Sequence, residues 1–265
     1  MEEFDCGSWE EFERQILVIS KQHEDIRGKR SIYSSPALFR GQECANWLLT
    51  TTLERMSITN FEVKKYHKII RTVQPQVTSL TMKDWDIPNY SPTEGQLTQP
   101  PPGYEFMVYL RHHGFPSPLL DWTRSPYVAA FFAFRSKQPS PSENVAIYSY
   151  IEYCGVGKLI SSNKASLLGL GSTIKTHKRH FIQQCEYTIC RKLVDDRYVY
   201  CPHEEAFQQN NEKQDRLIKF IIPRSEREKV LEKLNFMNVN AYSLFGNEEG
   251  LMETLAYQEI EKRYL

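Results

Sequence analysis

The sequence predicts an α+β fold in which a mixed or antiparallel sheet is flanked by helices. Three observations carry that reading. Segments with helical spacing gather early in the chain, and apolar, β-branched runs that read as strands gather late. Between them, residues 126–134 are apolar almost all round, as a helix buried in a core must be.

The composition is that of a globular protein. The chain has 265 residues, 40% of them hydrophobic and 25% charged, enough for one large domain. Lys+Arg and Asp+Glu number 33 each, so the net charge is zero. That balance argues against coating nucleic acid or an anionic membrane by bulk charge, though a local basic patch stays open. Six cysteines occur without a Cys-x-x-Cys pair, and the acidic opening Met1-Glu2-Glu3 does not read as a secretory signal. Reduced thiols and a cytoplasmic location are the expectation. No apolar run approaches the length of roughly 18 residues that a membrane-spanning helix needs.

Ser8-x-x-Glu11 is a capping box, and Trp9, Phe12, Ile16 and Ile19 recur at helical spacing, which predicts a first helix over 8–23. Ala37 to Phe39 reads as a short strand that delivers Arg40 at its end, with Gly41 giving the backbone room to turn. Asn46 to Leu53 fits a second strand or extended segment, and Asn60 to Val73 a helix. Residues 88–103, with five prolines and two glycines, read as a lid or a disordered insertion. They do not mark a boundary, and the chain is expected to be one domain with its motif-bearing core at 37–251. Tyr104 to Arg111 predicts a helix. Ser125-Pro126 marks a helix start, Ser as N-cap and Pro at the first helical position. Strands are expected at Val145 to Ile151, Glu186 to Cys190 and Leu217 to Ile222. Gly155 to Thr176 is ambiguous. Ser225-x-x-Glu228 reads as a capping box opening a helix through Leu234. Ala241 to Phe245 reads as extended and Glu248 to Arg263 as a last helix.

The chain is organised around residues 110–134. Arg111-His112-His113-Gly114 forms a polar, titratable end to an apolar segment. Pro116 and Pro118 shape the loop that follows, and Leu119-Leu120 is a short buried run stopping at Asp121. A polar cluster therefore stands at the mouth of a buried helix whose N-terminus suits an anion or a polarised substrate group.

This stretch resembles the central motif of the FRG domain family, close to Gln-His-Tyr-Gly-Leu-Pro-Thr-Arg-Leu-Leu-Asp-Trp-Thr. The family's name-giving motif is matched by Phe39-Arg40-Gly41-Gln42. Residues 179–188 are similar to its Arg-x-x-x-Gln-x-Gly-x-Phe-Thr, and Phe220 to Pro223, Leu244-Phe245 and Glu249-Gly250-Leu251 match its tail. The matches keep family order over residues 38–251. His113 departs from Tyr, Pro118 from Arg, Cys185 from Gly and Gly246 from Pro; the change at 118 removes a cation from that position.

Each polar residue has two readings. Arg40 can fork onto a phosphate or carboxylate, or clamp a loop carboxylate such as Asp121. His112 can act as acid, base or neutral donor, or be satisfied by loop carbonyls. Asp121 can hold Arg40 or a histidine, or cap a turn. Gln183 and Glu186 fall on opposite faces of a strand. Glu249 matches the family's acidic tail and also suits the first turn of a helix. Trp122 reads as core. No paired spacing suggests a metal site, so none is expected.

By order of motifs the resemblance extends to an ADP-ribosyltransferase-like core. That likeness implies NAD as substrate and no metal cofactor. Arg40 would hold the pyrophosphate, helped by Gly41, with Thr123 or Ser125 shaping the ribose pocket. Gln183, and Glu186 or Glu249, would stand where the family of transferases has its glutamate. His112 and Asp121 complete the expected site. Gln183 carries no charge to place opposite a developing cation, so another carboxylate must supply it. The resemblance also implies an effector in phage defence or a toxin–antitoxin pair. The other reading is a binding module for a nucleotide or a protein partner.

Overall fold

In a computed structural model of the chain, residues 1–30, 35–152, 164–172, 174, 178–207 and 215–264 are described. Their eight strands are β1 (Glu2–Asp5), β2 (Leu38–Gln42), β3 (Leu120–Thr123), β4 (Asn144–Glu152), β5 (Ser166–Gly169), β6 (Cys185–Val194), β7 (Arg197–Tyr200) and β8 (Asp215–Pro223). They form one mixed sheet in the order β1-β8-β4-β2-β3-β6-β5, with β7 also paired to β6. Every pairing is antiparallel except β1 with β8. The fold is α+β, as the sequence predicts.

Strand β4 lies at the centre, and its side chains are buried on both faces from Val145 to Glu152. Strand alternation sorts them. Val145, Ile147 and Ile151 share a face with Phe39 and Phe220, and build a core with helices α1 (Trp9–Arg30), α4 (Pro126–Phe134) and α7 (Arg227–Phe236). Trp9, Phe12, Ile16 and Ile19 are the stripe that α1 contributes. Farther along the same face, Tyr187 and Ile189 pack with α2 (Val63–Thr81) and α3 (Tyr104–His112). The other face carries Leu38, Trp122, Tyr148 and Tyr150 against Leu49 and α6 (His203–Phe207). Among the described residues, no helix is long and apolar enough to cross a membrane.

Helix α4 starts as its sequence dictates. Ser125 accepts from the Val128 N–H at 3.3 Å, and Pro126 takes the first helical position. Phe131 and Phe134 are buried, whereas Phe132 is half-buried and packs on Phe245.

Several expectations are corrected. Arg40 stands in the middle of β2, with Gly41 and Gln42 continuing the strand. Gly41 makes no turn there. A Cβ on it would overlap the Ala129 carbonyl oxygen and lie 2.7 Å from the Ala133 nitrogen, so glycine lets α4 settle on the strand. Asn46 to Leu53 forms no strand. Trp47 and Leu48 face solvent while Leu49 and Leu53 turn inward, and the Leu49 N–H donates to the Glu204 carboxylate in place of a strand partner. Residues 241–245 are a helix, α8 (Ala241–Phe245). A reciprocal box closes its start: Ser243 N–H donates to Asn240 at 3.0 Å, and Asn240 N–H to the Ser243 hydroxyl at 3.0 Å. Ser225 caps nothing; the N-cap of α7 is Glu226, whose carboxylate accepts from Trp9 N–H at 3.0 Å.

Helices α1 and α2 run beyond 23 and 73, and α2 continues through Pro75. Strand β1, missed in the sequence, is a four-residue edge strand held beside β8 by the Arg216–Glu2 ion pair. The Pro-rich segment is docked. It holds a 3-10 turn at Glu94–Thr98, buries Tyr90 and Leu97, and receives a hydrogen bond from Arg191 to the Leu97 carbonyl at 2.7 Å. The last helix is α9 (Glu248–Ala256), continued by a π turn and α10 (Lys262–Tyr264). Helix α5 (Lys178–Ile182) leads into β6. Of the ambiguous stretch 155–176, residues 155–163, 173 and 175–176 lie outside the described residues.

Candidate functional site

The site forms where the sheet parts. Strands β2 and β3 share a single register pair, Phe39 with Thr123, whereas β2 and β4 share five. Alternation sends Arg40 to the face of Tyr148 and Trp122, and Asp121 to the face of Tyr187. The guanidinium fills the seam where pairing stops. Its Nη1 donates to the Asp121 backbone carbonyl at 2.8 Å, and its Nε is buried with no hydrogen-bond partner. Burial is the largest influence on it; Asp121 opposes that, Arg111 and Arg55 repel it, and its pKa falls to about 10. It is still a cation at neutral pH.

The residue that clamps the Asp121 carboxylate is Arg111, at the end of α3. Its Nη2 donates to Asp121 Oδ2 at 2.6 Å and its Nε to Oδ1, the two-bond fork that a guanidinium makes with a carboxylate. Its remaining arm donates to the Thr52 hydroxyl at 2.9 Å, and Thr52 also receives the Ser117 N–H at 2.9 Å. Burial pushes the Asp121 carboxyl up, but the charge and hydrogen bonds of Arg111, with Arg40 and His112 behind them, bring it down overall. Its side chain nevertheless keeps 39% of its surface exposed. A carboxylate that is crowded by protein and still wetted can be reached from solvent.

Across the strand from Asp121, in register and on the same face, is Tyr187. Its hydroxyl is 2.7 Å from His112 Nε2 and 3.2 Å from His180 Nδ1. The other His180 nitrogen, Nε2, is 2.9 Å from the Ser172 carbonyl oxygen. A carbonyl only accepts, so Nε2 of His180 carries hydrogen. In the neutral ring Nδ1 is then an acceptor, and the one hydrogen of Tyr187 goes to it. The Tyr187 oxygen must accept in turn, so His112 donates from Nε2, and its basic nitrogen is Nδ1. The chain runs His112 to Tyr187 to His180 to the Ser172 carbonyl. His180 and Tyr187 are buried and His112 is half-buried, so the chain starts in the interior and ends toward solvent. Burial raises the Tyr187 phenol far above its ordinary range, so it stays a hydroxyl.

His112, His180 and Cys185 also offer three ligand atoms within 4.8 Å of one another, the one grouping of that kind among the described residues. The Tyr187 hydroxyl bonds both histidine nitrogens and reaches the Cys185 thiol as well. It fills the middle of the cluster, where an ion would need to sit. Burial, with Asp121 adding to it, pushes the Cys185 thiol up to about 12, so it is no ready thiolate ligand. The grouping is a hydrogen-bond hub.

Of the residues singled out in the sequence, Arg40, His112 and Asp121 come together. Thr123 and Ser125 border them but are engaged. The Thr123 hydroxyl donates to the Gln183 carbonyl at 2.7 Å, and Ser125 caps α4. Trp122 is core, with its indole N–H on Thr188 at 2.8 Å. Gln183 is buried, and its amide donates to the Leu244 carbonyl at 3.0 Å, tying the start of β6 to α8. Glu186 is held by Arg124, whose Nε donates to it at 2.7 Å. Glu249 is exposed in the first turn of α9, accepting from Asn247 at 2.6 Å. His113 is exposed and stacks on Tyr109 with ring centroids 4.3 Å apart.

Sequence reasoning missed Arg111, Thr52, Tyr187 and His180. Arg111 stood in plain view beside His112, but nothing local says which carboxylate it meets. Tyr187 and His180 are found only once the register of β3 with β6 is known.

Among known families, the FRG domain model matches residues 35–142. That span contains Arg40, His112, Arg111 and Asp121, whereas His180, Gln183, Tyr187 and Glu249 lie beyond it. No curated protein and no solved structure matches the chain.

Proposed function

We propose that this chain, whose residues 35–142 match the FRG domain, binds an NAD- or nucleotide-type ligand in a cleft over Asp121 and acts on it, with His112 moving the proton. The observation that carries this reading is the directed chain from His112 through Tyr187 to His180, opening beside a wetted carboxylate. Arg111 is a cation at the floor of that cleft, Arg40 is a second one in the seam behind it, and both favour an anionic group such as a pyrophosphate. Asp121 is an acceptor for sugar hydroxyls. In an NAD-consuming or ADP-ribosyl-transferring reaction, nicotinamide departs and positive charge develops on the ribose. Asp121 is then the carboxylate in range of the cleft, and the role assigned by resemblance to Gln183 or Glu249 passes to it. His112 would take the proton of the incoming nucleophile while the Tyr187 hydroxyl holds its ring in place.

A binding module is the second reading, and one observation favours it. The Asp121 charge is already engaged by Arg111, which weakens what it can offer a cation. In that reading the same cleft holds a nucleotide or a protein segment without turnover. The setting in phage defence or a toxin–antitoxin pair is an inference from the family alone.

Nicotinamide release from NAD separates the two. His112→Asn, folded and with thermal stability near wild type, is expected to lose about 10²-fold or more in rate, the usual contribution of a positioned acid or base. Folded wild-type protein that binds NAD and releases nothing would leave the binding module. A rate unchanged in His112→Asn would remove the assigned role of the histidine.

A further inference from the structure

On the opposite face of the sheet from the cleft, Cys190 and Cys201 bring their sulfurs to 3.4 Å. Cys190 lies in β6, and Cys201 follows directly on β7. The register pairs Arg191 with Tyr200, so Cys190 and Cys201 are the next pair along the same ladder. The Cys201 N–H donates to the Cys190 carbonyl at 3.2 Å, which continues the pairing to them. Directly opposed residues in an antiparallel pair have Cα atoms roughly 4.5–5.5 Å apart, inside the range of about 4.4–6.8 Å that a disulfide spans. Bonding would bring the sulfurs from 3.4 Å to about 2.05 Å.

We infer that Cys190 and Cys201 are a reversible thiol–disulfide pair. The other described cysteines, Cys6, Cys44 and Cys185, are also buried and free, and none has a second sulfur at this distance. The co-reactant is hydrogen peroxide. One thiol attacks a peroxide oxygen, the O–O bond breaks, a sulfenic acid forms and water leaves. The second thiol then attacks that sulfur, the S–S bond forms, and a second water departs. In sum, two thiols and one peroxide give one disulfide and two waters, and a dithiol reductant reverses it. Burial of both side chains makes the reaction wait on local opening.

The bond would have a defined consequence. Cys201 is two residues before His203, whose Nε2 meets the Thr188 hydroxyl at 2.9 Å, and Thr188 also receives the Trp122 indole. Joining Cys201 to Cys190 would fasten the start of α6 to β6, the wall behind Trp122 and Arg40. The short loop it closes restricts the unfolded chain, so the oxidised form is expected to melt several degrees higher.

The test is intact mass and peptide mapping of the full chain after hydrogen peroxide, with and without subsequent dithiol. The expected result is a loss of two hydrogens, one cross-linked peptide pair containing Cys190 and Cys201, and full reversal. Cys201→Ser should abolish the link, and Cys185→Ser should leave it intact. Since burial can block peroxide, the reduced chain is also refolded from urea in oxidised glutathione. There both thiols are reachable, and the same link is expected. Glutathione adducts on Cys190 or Cys201, links to other cysteines, or free thiols at both positions after that refolding would overturn the assignment.

Discussion

Replacing Tyr187 with phenylalanine removes one hydroxyl and leaves the ring that packs on His180 and Tyr104. The hydroxyl bonds both His180 and His112, so the change breaks two hydrogen bonds at once. His112 is half-buried and can turn to water, which keeps its share small. His180 is 7% exposed, and its Nδ1 is left without a donor inside the protein. An unsatisfied buried acceptor costs about 1–3 kcal/mol, against which losing a buried hydroxyl returns a little. The net expectation is a loss of about 1–2.5 kcal/mol. In a chain of this size that lowers the melting temperature by roughly 2–7 °C. Urea denaturation with tryptophan fluorescence measures it, and the slope of the transition should not change. The double variant Tyr187→Phe/His180→Phe should lose less than the sum of the singles, since each alone strands the other's partner. A Tyr187→Phe midpoint equal to wild type, or strictly additive losses, would refute the hydrogen-bond chain and the tautomers derived from it.

Three further perturbations test the frame around the site. Gly41→Ala forces a methyl into the α4 backbone, and overpacking of that kind costs about 1–3 kcal/mol or more, read as a lower urea midpoint. Phe134→Ala, at 1% exposed, should cost about 3–5 kcal/mol, and Phe132→Ala, only half-buried, clearly less; equal losses would contradict the placement of α4. His203 is fully buried, and burial first, then the Arg40 charge, holds its pKa at about 3 against an ordinary 6.5. The unfolded chain takes up that proton below about pH 6.5 and the folded chain does not, so stability is complete above 6.5 and falls as pH drops toward 3. That residue accounts for roughly 3–5 kcal/mol of acid lability across the window, which a His203→Gln variant should lack in equilibrium unfolding at stepped pH.

Much of the architecture was legible in the sequence because it rests on local pattern. The strands at 145–151 and 217–222 are continuous apolar runs, and Ser125-Pro126 announces α4 with its own cap. Where pattern misled, a partner distant in sequence decided. Leu49 looks like strand but spends its N–H on Glu204, and Ser225 looks like a cap but leaves that place to Glu226. The same division holds at the site. The short stretch 110–125 names His112 and Asp121 in one glance, with Arg111 beside them but without a role, and Arg40 came from its motif. What no local spacing encodes is which arginine takes the carboxylate and which takes the carbonyl. That depends on β2 and β3 parting after a single pair. Tyr187 reads in sequence as one more apolar strand residue. It becomes the centre of the site because β6 places it opposite Asp121.

The central claim is that the cleft over Asp121, with Arg40 in its wall, takes an NAD-type ligand. Calorimetric titration of wild type and Arg40→Lys with NAD tests it directly. Lysine keeps the charge, but a single ammonium cannot reproduce the planar guanidinium that holds the Asp121 carbonyl and fills the seam. The account predicts measurable binding to wild type and a loss of about tenfold to a hundredfold in the variant, the equivalent of one charge-assisted hydrogen bond. No heat of binding at millimolar NAD with folded wild-type protein, or equal affinity in both proteins, would contradict it.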